Sequence, residues 1–212
     1  MKVRFPGWAF GVVAVWLLAI LWVPVDTAMG EPYRLIYMHV PFALGTYLGT
    51  LLGALAAALH LWRREAEFDR LSQAFLEPAT LLAGLTLWTG SLWGRMTWNA
   101  WWTWDARLTS MLVLFLILAG THVLRDLAGG GSRGGRLASV AAVAAAFTIP
   151  VVHMSVYWWV TLHQKGTVLV QGRPRMDAEM LWVLFAGVAV VVWWLLATAM
   201  VRAAALKEAR GG

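Results

Sequence analysis

The chain has 212 residues, 60% of them hydrophobic and only 13% charged, a balance that a water-soluble domain of this size could not bury. A formal charge of +6 would suit nucleic acid, but Lys and Arg cluster at the ends of apolar runs and form no basic stripe, which excludes that partner and favours the lipid bilayer. The absence of cysteine excludes disulfides, zinc–thiolate sites, iron–sulfur clusters and thiol redox chemistry.

The first apolar run spans about Trp8 to Pro24 behind a basic start. Val25, Asp26 and Thr27 give no small-x-small cleavage site, so the run reads as a retained helix and not as a cleavable signal peptide. Further runs follow at about Leu35 to Trp62, Leu71 to Leu92, Ala106 to Leu124, Leu137 to Val160 and Ala178 to Val201. Crossing a bilayer takes roughly 20 apolar residues in a helix. Inside lipid only helices or closed barrels satisfy the backbone, and these runs are too long and too uniformly apolar for barrel strands. The expected fold is therefore all-α: a polytopic membrane bundle of six transmembrane helices with a tryptophan-rich outer loop, forming a single domain across residues 1–212.

The connector Gly129 to Gly135 is glycine-rich and basic, and reads as a flexible link. If the amino terminus faces the cytoplasm, that side holds Lys2, Arg4, Arg63, Arg64, Arg70, Arg125, Arg133, Arg136, Arg202, Lys207 and Arg210. The other side holds Arg34, Arg95, Arg107, Lys165, Arg173 and Arg175. This bias favours both termini in the cytoplasm. Three outer segments then converge on one membrane face: Val25 to Tyr37, Trp93 to Asp105 and Val160 to Asp177.

The middle segment carries the chemical signal. Trp93, Trp98, Trp101, Trp102 and Trp104 fall within twelve residues and are followed by Asp105 and Arg107. If helical, Trp98, Trp101 and Trp102 share one face. Indole faces suit a large flat apolar ligand such as heme, although each indole N–H still needs a polar partner. The plainer alternative is an interfacial anchoring belt of tryptophans, with Asp105 simply capping the fourth helix.

Trp93-Gly94 followed by Trp101-Trp102-Thr103-Trp104-Asp105-Ala106-Arg107-Leu108-Thr109 resembles the "WWD" signature of heme-handling membrane proteins. The wording is similar to that of the cytochrome c maturation protein C family (CcmC, heme exporter protein C). The stretches Tyr33 to Pro41 and Pro150 to Gln164 agree in the same order, so the resemblance covers most of the chain from Tyr33 to Gly166.

The resemblance implies that His39 and His163 are axial ligands of heme iron, imidazole being a common axial ligand. It implies a b-type heme held non-covalently and passed on, with Trp93, Trp98, Trp101, Trp102, Trp104, Asp105 and Arg107 around it. It also implies a bacterial inner-membrane location, delivery to the heme chaperone CcmE, and CcmA, CcmB and CcmD as neighbours. No Gly-x-x-x-x-Gly-Lys-Ser/Thr occurs, so an ATPase subunit must be a separate chain. The expected role is delivery, not catalysis.

For each histidine the plainer alternative is a polar residue bonded to a neighbouring helix. His39 and His163 lie on the tryptophan side of the topology. His60, beside Arg63 and Arg64, and His122, near Arg125, read as solvated interfacial residues at the opposite side. His153 falls within the fifth run and reads as a structural or ligand-supporting residue. Arg34, Arg95, Arg107 and Lys165 are candidate partners for heme propionates, since guanidinium matches carboxylate bidentately; plain outer-surface solvation is the alternative. Arg107 could also pair with Asp105. The rival functions are a WWD-type cytochrome c synthetase component, an electron-transfer cytochrome b with deep histidine pairs, and a permease without cofactor.

Overall fold

The structure, a computed structural model, describes residues 8–26, 29–163, 169–170, 173–174 and 176–211. Lys2, Arg4, Lys165 and Arg175 lie outside the described residues. The six expected helices are present: α1 (Trp8–Trp22), α2 (Ile36–Arg63), α3 (Ala66–Trp98), α4 (Ala106–Leu127), α5 (Gly131–Trp158) and α6 (Ala178–Gly211). A short 3-10 helix, Glu31–Leu35, leads into α2, and the strands β1 (Leu169–Val170) and β2 (Arg173–Pro174) form a two-residue antiparallel ladder.

Among the described residues, four spans are long and apolar enough to cross a membrane: Glu31–Arg63, Ala106–Leu127, Gly131–Trp158 and Ala178–Ala209. The helix α3 has 33 residues, about 50 Å at 1.5 Å per residue. Its length suffices, but Glu67, Asp69, Arg70 and Glu77 occupy its first half. The outward surface is apolar, with Leu51, Leu55, Trp88, Phe147, Trp182, Phe185 and Met200 all exposed. Contiguous apolar exposure on this scale is a lipid-facing surface, because water would penalise it.

Close backbone approach builds the centre. Gly45, Gly49 and Gly53 repeat every four residues along α2 and form one stripe. A Cβ at Gly45 would lie 2.7 Å from Val191 and 2.8 Å from Leu82; one at Gly49 would lie 2.9 Å from the Cβ of Ala79; one at Gly53 would lie 2.7 Å from Leu76. Van der Waals packing of this kind drives helix association in lipid, where the hydrophobic effect between helices is weak. The stripe seats α2 on α3, with α6 closing on the same side. One apolar cluster joins Trp16, Tyr37, Leu184 and Leu195; the other joins Leu76, Leu114, Leu118, Ala142 and Val152.

The end of the bundle opposite the tryptophans is pinned by polar contacts. Arg125 of α4 donates twice to the Asp69 carboxylate of α3, at 2.6 and 2.9 Å. Arg202 of α6 donates to both oxygens of Glu77, at 2.6 and 2.9 Å. His60 is not solvated as its neighbours suggested: it is 6% exposed, and its Nδ1 lies 2.8 Å from Ser139 Oγ of α5. His122 is likewise half-buried, with Nε2 2.9 Å from Thr80 Oγ1. Both satisfy a polar group inside the bundle by bonding across helices.

The glycine-rich connector is shorter than expected. Gly131 to Gly135 belong to α5. Gly135 faces the Asp69 carboxylate, where a Cβ would sit 2.9 Å from Oδ1, and a Cβ at Gly134 would sit 2.6 Å from the Arg125 carbonyl oxygen. These glycines let three helix ends meet around one ion pair.

Candidate functional site

The sequence brings four helices to one pocket at the tryptophan end. The 3-10 helix enters through Pro32, and the chain passes into α2 without a break, so His39 falls on the first turn. Arg34 anchors this entry by donating to Glu31 at 2.6 Å and to the carbonyls of Ile20 and Val23, which holds it at the end of α1 and away from the pocket. Tyr33 packs on Trp93 with ring centres 6.0 Å apart.

The helix α3 ends at Trp98, where Asn99 takes a left-handed conformation (φ 55°) and the Ala100 amide donates back to the Gly94 carbonyl at 3.3 Å. A Cβ at Gly94 would lie 2.9 Å from the Ala100 carbonyl oxygen, so the returning chain requires a glycine there. The segment from Asn99 to Asp105 is not helical. The single helical face expected for Trp98, Trp101 and Trp102 therefore does not form, because the chain reverses between the first and the other two.

Asp105 caps α4: its Oδ1 accepts from the Leu108 amide at 2.9 Å, satisfying one of the unpaired N–H groups of the first turn. Arg107 donates to the His153 carbonyl at 3.3 Å, tying the start of α4 to α5. Arg95 donates to the Asn99 carbonyl at 3.3 Å and is exposed.

Between these elements lies a cavity of about 270 Å³, near the lower bound of ordinary small-molecule pockets. His39, His153, His163, Arg107 and Tyr47 line it, with Trp93, Trp98 and Trp102 as its aromatic wall. Trp101 and Trp104 do not line it; they are 59% and 78% exposed, and Trp104 meets Trp102 edge-on at 5.6 Å. The five tryptophans thus divide into three at the pocket and two outside. The buried indole nitrogen of Trp102 has no hydrogen-bond partner among the described residues, nor do the hydroxyls of Thr103 and Thr109 or Oδ2 of Asp105.

His39 and His163 stand close together. Their ring centres are 6.3 Å apart and their planes differ by 36°. Metal–imidazole bonds of about 2.0–2.1 Å would put two rings on opposite sides of one ion with centres about 6–6.5 Å apart. A planar apolar ligand with an imidazole-binding metal fits this donor set and this wall. Sequence reasoning missed Thr89, whose Oγ1 lies 3.0 Å from His39 Nδ1, and Gly90, where a Cβ would sit 3.2 Å from His39 Cε1. Their signal was a polar and a small position side by side in the more apolar second half of α3, with Gly90 on the cavity lining and Thr89 behind His39. His153 also lines the cavity.

Fold and pocket define a polytopic helical membrane protein with a tryptophan-walled, histidine-bearing cavity at one end of its bundle. Comparison with known proteins makes this specific. Residues 6–210 match the family described as "CcmC: Heme exporter protein C", and the chain belongs to that family. Heme exporter protein C of Escherichia coli (strain K12) is 34% identical over 175 residues, covering 80% of this chain and 70% of that one. Heme exporter protein C of Haemophilus influenzae is 33% identical over 174 residues, covering 81% and 69%. A putative cytochrome c biosynthesis ccmC-like mitochondrial protein of Marchantia polymorpha is 35% identical over 162 residues, covering 76% and 68%. The family expected from the tryptophan segment is borne out.

Proposed function

We propose that this chain handles heme in cytochrome c biogenesis, holding it at the tryptophan end of the bundle and handing it to a membrane-anchored chaperone of the CcmE type. The observation that carries the reading is the neighbouring pair His39 and His163, 6.3 Å between ring centres, beside a wall of Trp93, Trp98 and Trp102. Both imidazoles serve as axial ligands, and the indoles pack on the apolar macrocycle. Arg107, on the cavity lining, is the cation best placed to meet a propionate. Asp105 acts through its cap, orienting the loop and α4 rather than touching the cargo. Trp101 and Trp104, exposed at the same end, suit an interfacial belt or the surface that a chaperone meets.

The heme is b-type and non-covalent, and the role is delivery, not turnover. The excess of Lys and Arg at the opposite end supports an orientation with that end and both termini in the cytoplasm and the pocket at the periplasmic face of a bacterial inner membrane. CcmA, CcmB and CcmD are the expected neighbours. Two neutral imidazoles hold iron firmly, so release needs a partner that weakens one ligand.

The test is the optical spectrum of the detergent-purified protein beside His39→Ala and His163→Ala. A bis-imidazole signal lost in either variant is expected. A signal that persists in both and disappears only in His153→Ala would move the site to an internal cytochrome arrangement, and no heme under heme-replete expression would overturn the reading.

A further inference from the structure

Thr89 is fully buried on α3, and its hydroxyl sits among three polar neighbours. Oγ1 lies 2.8 Å from the Leu85 carbonyl oxygen, 3.2 Å from the Thr86 carbonyl oxygen and 3.0 Å from His39 Nδ1. A hydroxyl has one proton, and a carbonyl oxygen can only accept. If that proton pointed at Nδ1, the oxygen would face two carbonyl oxygens with nothing between them. If it points back along its own helix, as buried threonines commonly do, both carbonyls are served and the remaining lone pair faces the imidazole. Nδ1 must then carry a proton, and the Thr89 hydroxyl is its acceptor beside the Thr86 carbonyl, which also hydrogen-bonds the His39 ring. Among the described residues this is the arrangement that leaves none of these atoms in conflict.

A neutral imidazole has one N–H, so a proton on Nδ1 leaves Nε2 with a bare lone pair. We propose that Thr89 is a positioning residue that locks His39 in the Nδ1–H tautomer and so presents Nε2 to iron. This rests on the reading of His39 as an axial ligand. The absence of a side chain at Gly90, whose Cβ would crowd His39 Cε1 at 3.2 Å, gives the ring its place against the same helix. Donation from Nδ1–H also raises the basicity of the ligating nitrogen, which favours ferric iron and firm retention.

The test compares Thr89→Val, Thr89→Ala and Thr89→Ser with wild type and His39→Ala in the full chain, purified with heme. Heme retention, the reduction potential and the electron paramagnetic resonance of the ferric form are read. Valine conserves shape and alanine needs no new space, so at least one hydroxyl-free variant is expected to remain monodisperse, which size-exclusion chromatography checks. Those variants are expected to hold heme 10- to 100-fold more weakly, with a more positive potential and altered ferric g-values, and serine is expected to restore all three. Unchanged potential and g-values in a hydroxyl-free variant, with His39→Ala losing its axial ligand, would overturn the role of Thr89 and leave the site intact. An unchanged spectrum in His39→Ala would overturn the ligand assignment itself.

Discussion

At the scale of single residues, the tryptophans separate by position and not by count. Trp102 lines the cavity with a buried, unpartnered indole nitrogen, while Trp101 and Trp104 stand largely in the open. Trp102→Ala is therefore expected to lower the heme-to-protein ratio of the purified chain severalfold, and Trp101→Ala and Trp104→Ala to leave it near wild type. Pyridine hemochrome quantitation checks this, and equal losses in all three would deny the division. The composition of the segment announced an aromatic surface. It could not show which rings turn inward, because that depends on the reversal at Asn99 and on a close return past Gly94. His60 teaches the same lesson. Its arginine neighbours suggested water, yet Ser139, far along the chain, supplies its partner.

At the scale of elements, the α2 stripe is a packing device with a measurable cost of change. Gly49→Leu must displace Ala79 and Leu195, and overpacking of this kind typically costs about 1–3 kcal/mol. A lowered thermal midpoint in detergent is the expected outcome. Gly120 is the matched control: a Cβ there meets nothing within 4 Å, and alanine in a helix interior is favoured over glycine by about 1 kcal/mol. Gly120→Ala should hold or raise the midpoint. A Gly49→Leu variant as stable as wild type would show that α2 and α3 can separate without penalty. The six helices were legible from the sequence because apolar runs of bilayer length have few other stable states. The start of α5 was not: glycines at Gly131 to Gly135 read as a connector, and only the crowding around Asp69 and Arg125 explains why they are helical.

At the scale of the whole molecule, the pocket and the ion pairs that join one long helix to another lie toward opposite ends of the bundle. Asp69 and Arg125 are 5% and 9% exposed, so removing one leaves a buried charge without its partner. Asp69→Ala or Arg125→Ala should cost about 3–5 kcal/mol. Arg70 and Glu67, 3.6 Å apart with Glu67 mostly exposed, should be worth under about 1 kcal/mol. Denaturant or thermal unfolding of the four single variants measures the contrast. Equal losses would mean that the buried pair is not what joins α3 to α4.

Composition and hydropathy alone determined that this chain lives in a membrane as a helical bundle, because the cost of exposing so much apolar surface to water, or unpaired backbone to lipid, leaves no other arrangement. The tryptophan wording determined its family, and with it which histidines deserved attention. Tertiary structure decided the rest: that the rings of His39 and His163 come within 6.3 Å, that Thr89 bonds to the first of them, and that Trp101 and Trp104 stand outside the cavity. Those facts depend on how separate helices meet, and the chemistry of a residue does not reveal which distant residue will complete its hydrogen bonds.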